Sequence, residues 1–141
     1  MILSMIMKLA AKHNRRPLKV MIIEDEQDIL LLYKDYLINR GHQVLVTSTS
    51  ASEITSDYDK VKPDITIIDY KLPGKKDGIQ AAAQIYSKYP SAAILIVTAY
   101  DTVIDEVSKN TIFENKNFNI LIKPVKLFIL ESEMYKVLNS N

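Results

Sequence analysis

The sequence predicts an α/β fold, in which a five-stranded parallel sheet carries helices on both faces. The first observation is a set of strand-length runs that are apolar on both faces, as in buried strands, at residues 18–23, 65–68, 92–97 and 120–122. The second is that segments with the apolar spacing of helices alternate with these runs. The third is that each run stops abruptly at a polar residue, as in sheets that bind ligands at their strand ends.

The first half of the chain predicts two strand–helix units. The strand at residues 18–23 is followed by a helix over residues 27–40, which Gly41 ends. The apolar face of this helix is formed by Ile29, Tyr33, Tyr36 and Leu37. A short strand follows at residues 43–46. A serine and a glutamate three residues apart then predict a capping box, which opens a weak helix from Ser50 through Asp59.

The second half continues the alternation around three strands. Proline, glycine and lysine residues at 72–78 have the composition of a loop, and Pro90 ends the helix that follows it. An asparagine-rich segment precedes the last strand and is predicted to be a loop. The remaining elements are, in order, a helix at 79–89, a short helix at 101–109, the asparagine-rich loop at 110–119 and a final helix at 126–138.

The composition is that of one ordinary globular domain of 141 residues. A formal net charge of +1 gives no strong field that would attract nucleic acid or an acidic membrane. The absence of cysteine excludes disulfides, thiolate catalysis and zinc–thiolate sites. The two histidines, His13 and His42, are too isolated for a metal cluster, and no apolar stretch is long enough to span a membrane. We therefore expect a cytoplasmic protein.

Residues 1–16 differ from the rest of the chain, because an apolar start is followed by basic residues without an acid. A signal peptide has the opposite order, with its basic residues first. A short amphipathic helix at a membrane surface is one interpretation. We favour the other, in which residues 1–16 are a frayed N-terminal extension and residues 17–141 form the folded domain.

Polar residues at the strand ends predict a phosphoryl-transfer site. Glu24, Asp25 and Asp69 are expected at one edge of the sheet, together with Thr98 and Lys123. Three clustered carboxylates repel one another, and this repulsion raises the pKa of at least one of them. A divalent cation bound between them would remove the repulsion. A donor set of oxygens alone favours Mg²⁺ over Zn²⁺. A carboxylate can accept a phosphoryl group, while a metal, an ammonium and a hydroxyl stabilise the charge.

Each of these residues also has a purely structural interpretation. Asp69 could simply end a strand, as aspartate often does. Glu24 and Asp25 could open a helix, where the helix dipole favours acids. Thr98 could be a helix N-cap, and Lys123 could be a surface lysine before a turn.

Four motifs together resemble the receiver domain of response regulators in two-component signalling, over roughly residues 18–138. The motifs are IIEDE at 22–26, IIDYKLPG at 67–74, VTAY at 97–100 and KP at 123–124. The resemblance implies a flavodoxin-like (βα)5 fold, a doubly wound parallel sheet with strand order 2-1-3-4-5.

The resemblance also implies roles for the site residues. Asp69 would accept a phosphoryl group from a sensor histidine kinase or a phosphotransfer protein. Lys123 would pair with that group, Thr98 would be the switch hydroxyl, and the bond between Lys123 and Pro124 would be cis. The ligands of Mg²⁺ would be Glu24, Asp25, Asp69 and the backbone carbonyl of Lys71. Such a protein is a signalling switch that catalyses only its own phosphorylation and dephosphorylation.

The chain ends soon after the last predicted helix, so we expect a stand-alone receiver without an output domain. Its output would be a surface that another protein reads, without direct binding of nucleic acid.

The sequence departs from the family pattern in three places. Lys75 and Lys76 lengthen one loop by a residue, the segment 110–119 is longer than usual, and Ile120 stands where the family usually has an aromatic residue.

Two other classes of protein are compatible with part of this pattern. A phosphohydrolase of the haloacid-dehalogenase type also forms an aspartyl phosphate, but it has a second aspartate two residues later, where this chain has Lys71. A receiver-like adaptor would bind partners without phosphorylation, and the retention of every acidic and basic site residue argues against it.

Overall fold

The computed structural model describes residues 1–5 and 15–139. Five parallel strands form one sheet in the order β2-β1-β3-β4-β5, which confirms the predicted topology. The strands are β1 (Lys19–Ile23), β2 (Gln43–Ser48), β3 (Ile65–Asp69), β4 (Ala93–Thr98) and β5 (Asn117–Ile122). The helices are α1 (Gln27–Asn39), α2 (Ile54–Val61), α3 (Gly78–Lys88), α4 (Thr102–Ser108) and α5 (Leu127–Leu138).

Two hydrophobic cores lie on opposite faces of the sheet. Helices α1 and α5 cover one face, and α2, α3 and α4 cover the other. Every residue of the central strands β3 and β4 is buried, whereas the edge strands β2 and β5 are only partly buried. This pattern explains why the central strands carry apolar residues on both faces, since both faces contact helices.

The segment 110–119 is more ordered than the predicted loop. A short 3-10 helix spans Thr111–Phe113, and β5 begins at Asn117, three residues earlier than predicted. Phe113 is buried, and its ring centroid lies 5.6 Å from that of Tyr86 and 5.2 Å from that of Phe118. The Tyr86 hydroxyl also donates to the Asn117 carbonyl at 2.8 Å. The loop prediction was wrong because these aromatic contacts order a segment whose composition is typical of a loop.

The predicted capping box also lies elsewhere. Helix α2 begins at Ile54 without a hydrogen bond from a capping side chain, and the hydroxyls of Ser50 and Ser52 instead bond each other at 3.1 Å. The capping box is at the start of α3, where the Gln80 N–H donates to Asp77 Oδ1 at 2.8 Å and the Asp77 N–H donates to Gln80 Oε1 at 2.9 Å.

A buried carboxylate ties α5 to the end of the sheet opposite the predicted site. The Leu18 N–H donates to His42 Nδ1 at 3.0 Å, so the other ring nitrogen carries the proton. That nitrogen, His42 Nε2, lies 2.7 Å from Glu131 Oε2. Arg40 Nε donates to the same carboxylate at 3.0 and 3.3 Å. This cluster, which we call the Glu131 clasp, joins α5 to the end of α1 and the start of β1.

Residues just before β1 also contact α5. The Tyr135 hydroxyl donates to the Arg16 carbonyl at 2.7 Å, and the Arg15 guanidinium lies 4.8 Å from the centroid of the Tyr135 ring. Arg16 also pairs with Asp64 at 3.3 Å. These contacts place residues 15 and 16 against the folded domain.

We expect Glu131→Ala to lower the free energy of unfolding by about 2 kcal/mol, because it leaves the buried His42 N–H without its acceptor. Urea denaturation measures this loss. Lys136→Ala is the control on the same helix, since the Lys136 side chain is 70% exposed, and its effect should stay within about 0.5 kcal/mol. Equal losses in the two variants would contradict a stabilising role for the clasp.

Candidate acidic metal site

The carboxyl ends of β1 and β3 bring three carboxylates together. Glu24 and Asp25 follow β1 directly, and Asp69 is the last residue of β3. One carboxylate oxygen from each residue lies within 4.8 Å of the others. Glu24 and Asp69 are buried, whereas Asp25 is exposed. The oxygen donors and their spacing fit a hard cation such as Mg²⁺, with room for water and phosphate ligands on the exposed side.

Lys123 supplies the positive charge of this cluster. Its Nζ donates to Glu24 Oε1 at 2.7 Å and lies 3.6 Å from Asp69 Oδ1. Burial lowers the pKa of the Lys123 amine, but the hydrogen bond with Glu24 and the charges of Asp69 and Glu24 outweigh it, so the pKa is raised. Lys123 is therefore an ammonium within the site, rather than the surface lysine of the alternative interpretation. The peptide bond to Pro124 is cis, as the resemblance implied.

Asp69 is the carboxylate whose charge is least favourable. Burial raises its pKa, and the hydrogen bond with Glu24 and the negative charge of Glu24 raise it further, while Lys123 lowers it, to a value of about 8. A group with this pKa gives up its proton readily only when a cation compensates its charge. The neighbouring Glu24 contributes to the raised pKa of Asp69, as the clustering predicted, although burial is the larger cause.

Thr98 lies beside the cluster but is not joined to it. Its carbonyl accepts the Lys123 N–H at 2.8 Å, which aligns the ends of β4 and β5. Its buried hydroxyl accepts the Tyr100 N–H at 3.0 Å, and in the described part of the chain it forms no hydrogen bond with the carboxylates. The N-cap of α4 is Asp101, so the alternative of a capping role for Thr98 is wrong.

Lys71 and Tyr100 meet at the mouth of the site. Lys71 Nζ donates to the Tyr100 hydroxyl at 3.4 Å and lies 5.6 Å from the centroid of its ring. The Tyr70 ring packs edge-on against Tyr100, at 6.2 Å between centroids. The β3–α3 and β4–α4 loops are thereby connected through side chains. The role of the Lys71 backbone carbonyl as a ligand of Mg²⁺ stays a prediction.

Gly78 is a residue that the sequence reasoning missed. Its N–H donates to the Tyr70 carbonyl at 2.7 Å, and a Cβ at this position would lie 2.3 Å from the Asp69 carbonyl oxygen. Only glycine allows the start of α3 to approach the end of β3 so closely. The available signal was a glycine directly after Asp77, the N-cap of α3.

Ile120 lies next to Ile96 of β4 and packs against the core that contains α3 and α4. Phe118 is held by Phe113 and so does not take the place of the missing aromatic side chain. A cavity of about 300 Å³ opens on this side of the sheet. Its lining consists of Ile104, Val107, Ser108, Phe118, Asn119 and Ile120.

The fold is flavodoxin-like, with its acidic cluster at the carboxyl ends of the central strands. A family model described as the response regulator receiver domain matches residues 20–134, and the chain belongs to that family. The chemotaxis protein CheY of Listeria monocytogenes is 31% identical over 110 residues, which cover 76% of this chain and 87% of that protein. The regulator PdtaR of Mycobacterium tuberculosis is 34% identical over 84 residues, which cover 60% of this chain and 40% of that protein.

Solved structures share the fold. The receiver domain of a modulated diguanylate cyclase from Desulfovibrio desulfuricans has a TM-score of 0.76 at 22% identity, covering 89% of this chain and 96% of that one. CheY in the CheX-CheY-BeF3-Mg²⁺ complex of Borrelia burgdorferi has a TM-score of 0.73 at 18% identity, covering 86% and 89%. Within residues 1–5 and 15–139, no helix combines the length and apolarity needed to cross a membrane.

We expect Asp69→Asn to stabilise the metal-free protein by a margin that grows from pH 5 to pH 9. The folded-state pKa of about 8 exceeds the unfolded value of about 3.9, so the wild type loses stability as the pH rises between the two. Asparagine has no proton to lose. Thermal unfolding of both proteins in a chelator measures the margin, and a margin independent of pH would contradict the raised pKa.

Proposed function

We propose that this protein is a phosphoacceptor response regulator that receives a phosphoryl group on Asp69 and signals through a protein–protein surface. The donor is a sensor histidine kinase or a phosphotransfer protein of a two-component system or phosphorelay, and both proteins work in the cytoplasm. The observation that carries the proposal is a buried strand-end carboxylate, Asp69, between two further acids and the Lys123 ammonium. The place of the chain in the receiver family supports it.

The residues of the site suit an in-line transfer from a phosphohistidine. An Asp69 oxygen attacks phosphorus and forms an O–P bond, while the N–P bond breaks and its electron pair stays on the donor imidazole. Glu24, Asp25 and Asp69 would hold Mg²⁺, with the Lys71 carbonyl as a fourth protein ligand. When bound, the ion supplies positive charge to the phosphoryl oxygens. Lys123 turns from Glu24 toward a phosphoryl oxygen, and the Thr98 hydroxyl releases the Tyr100 N–H to donate to another.

The Borrelia burgdorferi CheY is described with BeF3, Mg²⁺ and the partner CheX. We propose the same kinds of ligand for this chain, because its acidic cluster offers the oxygen donors that Mg²⁺ prefers. Turnover of a separate substrate is disfavoured, since Lys71 stands where a phosphohydrolase of the haloacid-dehalogenase type has its general acid. The phosphorylated protein is therefore the product, and the protein is a switch.

The output surface proposed here is formed by α4, β5 and α5. Large apolar side chains on these elements are exposed, namely Ile104 at 50%, Ile122 at 40% and Phe128 at 60%. Movement of Thr98 would reach α4 through the loop before it, because the Thr98 hydroxyl accepts the Tyr100 N–H and the Tyr100 carbonyl accepts the Val103 N–H of α4 at 3.3 Å. Ile120 is β-branched and has few rotamers, so it changes little, and the response concentrates in residues 98–119.

We expect the wild type to gain one phosphoryl group from acetyl phosphate in the presence of Mg²⁺, and Asp69→Asn to gain none. Intact mass spectrometry measures the addition. Asp57→Asn is the matched control, because Asp57 lies on α2 outside the acidic cluster, and it should be labelled like the wild type.

In the same experiment, Asp25→Ala distinguishes the loss of Mg²⁺ binding from the loss of the phosphoacceptor. It removes one of the three carboxylates, so Mg²⁺ affinity and labelling should fall together while Asp69 remains. Labelling of Asp69→Asn at the wild-type level would contradict the assignment of the acceptor. Wild-type Mg²⁺ affinity in Asp25→Ala would place the metal elsewhere.

We expect the phosphoryl group to be long-lived, because Lys71 and Tyr100, two residues after Asp69 and Thr98, contact each other and neither is an acid or an amide that would orient an attacking water. The double variant Lys71→Asn/Tyr100→Glu removes this contact and supplies polar groups that orient water, so its phosphoryl group should decay about tenfold faster. Decay of labelled protein after removal of the donor measures the rate. Lys75→Asn, in the same loop, is the control, and decay in the double variant at the wild-type rate would defeat the prediction.

A further inference from the structure

Tyr70 connects the end of β3 to α4 through its side chain. It directly follows Asp69, and its hydroxyl donates to Glu106 Oε2 of α4 at 3.3 Å. The pKa of this hydroxyl is raised by burial and by the negative charges of Glu106 and Asp77, so the phenol keeps its proton and is the donor. The hydrogen bond therefore runs from the residue next to the proposed phosphoacceptor to the first helix of the proposed output surface.

The Tyr70 end of this contact is firmly held. The Tyr70 carbonyl accepts the N–H of Gly78, the first residue of α3, at 2.7 Å. The Tyr70 side chain packs against the core beneath α2, α3 and α4. The strand that ends just before it, β3, is buried along its whole length between β1 and β4. Tyr70 is thus a fixed point beside the acidic site.

The α4 end is held much less firmly. The helix has seven residues, and only Val103 and Val107 of them are buried. Its first turn is joined to the preceding loop by the Val103 N–H, which donates to the Tyr100 carbonyl at 3.3 Å. A helix with so few buried side chains shifts at a low cost in free energy. The hydrogen bond with Tyr70 is therefore a substantial part of what keeps α4 in its resting position.

The proposed phosphorylation acts directly on this arrangement. The Thr98 hydroxyl leaves the Tyr100 N–H for a phosphoryl oxygen, and the Tyr100 carbonyl passes the resulting movement to Val103 of α4. A distance of 3.3 Å between the two oxygens of Tyr70 and Glu106 is already longer than is usual for a hydrogen bond between oxygens. A small shift of α4 away from Tyr70 therefore breaks it, and the contact belongs to the resting state.

We propose that the hydrogen bond between Tyr70 and Glu106 is a strap that holds α4 in its resting position and breaks when Asp69 is phosphorylated. The inference rests on the proposed function, because it concerns the change from the resting to the phosphorylated state. A contact made only in the resting state lowers the apparent affinity for any ligand that binds the other state. Loss of the strap should therefore favour the phosphorylated arrangement while the acidic cluster stays intact.

Beryllofluoride, which stands in for a phosphoryl group on a carboxylate, tests this proposal with Mg²⁺ present. Tyr70→Phe removes the hydroxyl and keeps the ring, with its contacts to Tyr100 and the core. It should bind beryllofluoride about threefold more tightly than the wild type, as expected when one partly exposed hydrogen bond is lost from the resting state. Its affinity for Mg²⁺ alone should be unchanged.

The acceptor side of the strap provides a second variant and a control. Glu106→Ala should tighten beryllofluoride binding by the same factor as Tyr70→Phe. The double variant Tyr70→Phe/Glu106→Ala should gain no more than either single variant, because both substitutions remove the same contact. Asp105→Ala is the matched control, since it removes the same charge from the same helix, and the Asp105 side chain is 71% exposed and pairs with Lys109. Its beryllofluoride affinity should equal that of the wild type.

Backbone amide resonances of α4 give an independent readout of its position. Without ligand, those of Tyr70→Phe should be displaced toward the positions they take in the wild type with beryllofluoride. Equal beryllofluoride affinity in Tyr70→Phe and Asp105→Ala would overturn the inference, as would gains that multiply in the double variant or α4 resonances that are not displaced in this direction. If the wild type itself binds no beryllofluoride and gains no phosphoryl group, the proposed function fails instead.

Discussion

Two buried carboxylates, Glu24 and Asp69, face each other across the ends of neighbouring strands, with the Lys123 ammonium between them. The rest of the site depends on this balance of charges. The strand order brings these three charged groups together. Because β1 and β3 are adjacent, Glu24 and Asp69 lie side by side, and Lys123 follows β5 at the same edge of the sheet. One ammonium does not neutralise three carboxylates, so the negative charge of Glu24 adds to burial in raising the pKa of Asp69.

The two ends of the sheet differ in their electrostatic design. At the opposite end, the Glu131 carboxylate receives donors from both His42 and Arg40, and His42 in turn accepts from the backbone. That cluster is fully paired and stabilises the fold, whereas the acidic site holds three carboxylates against the single ammonium of Lys123.

The sequence was sufficient to predict the topology, because apolar runs of strand length and their polar ends are local features. It was also sufficient to bring Glu24, Asp25, Asp69 and Lys123 together, since parallel strands share an edge. It was insufficient where tertiary contacts override local composition. The aromatic contact of Phe113 orders a segment whose composition is typical of a loop. The predicted capping box at Ser50 does not form, and the Ser50 hydroxyl bonds the Ser52 hydroxyl instead.

Other features had no signal that a single sequence could supply. The polar residue Glu131 lies within an apolar helical face, and only the fold shows that His42 and Arg40 meet it. The need for glycine at position 78 likewise arises from a backbone approach that composition does not reveal.

The Glu131 clasp has a mechanical consequence for α5. It joins Glu131, one turn into this helix, to Arg40 and His42, while the first turn, only a few residues after Lys123, carries the exposed Phe128. The segment between Lys123 and Glu131 is therefore short and connected at both ends, to the charged site and to the Glu131 clasp. A displacement of Lys123 would act on this segment first, and Phe128 is the exposed side chain within it that a partner protein would meet.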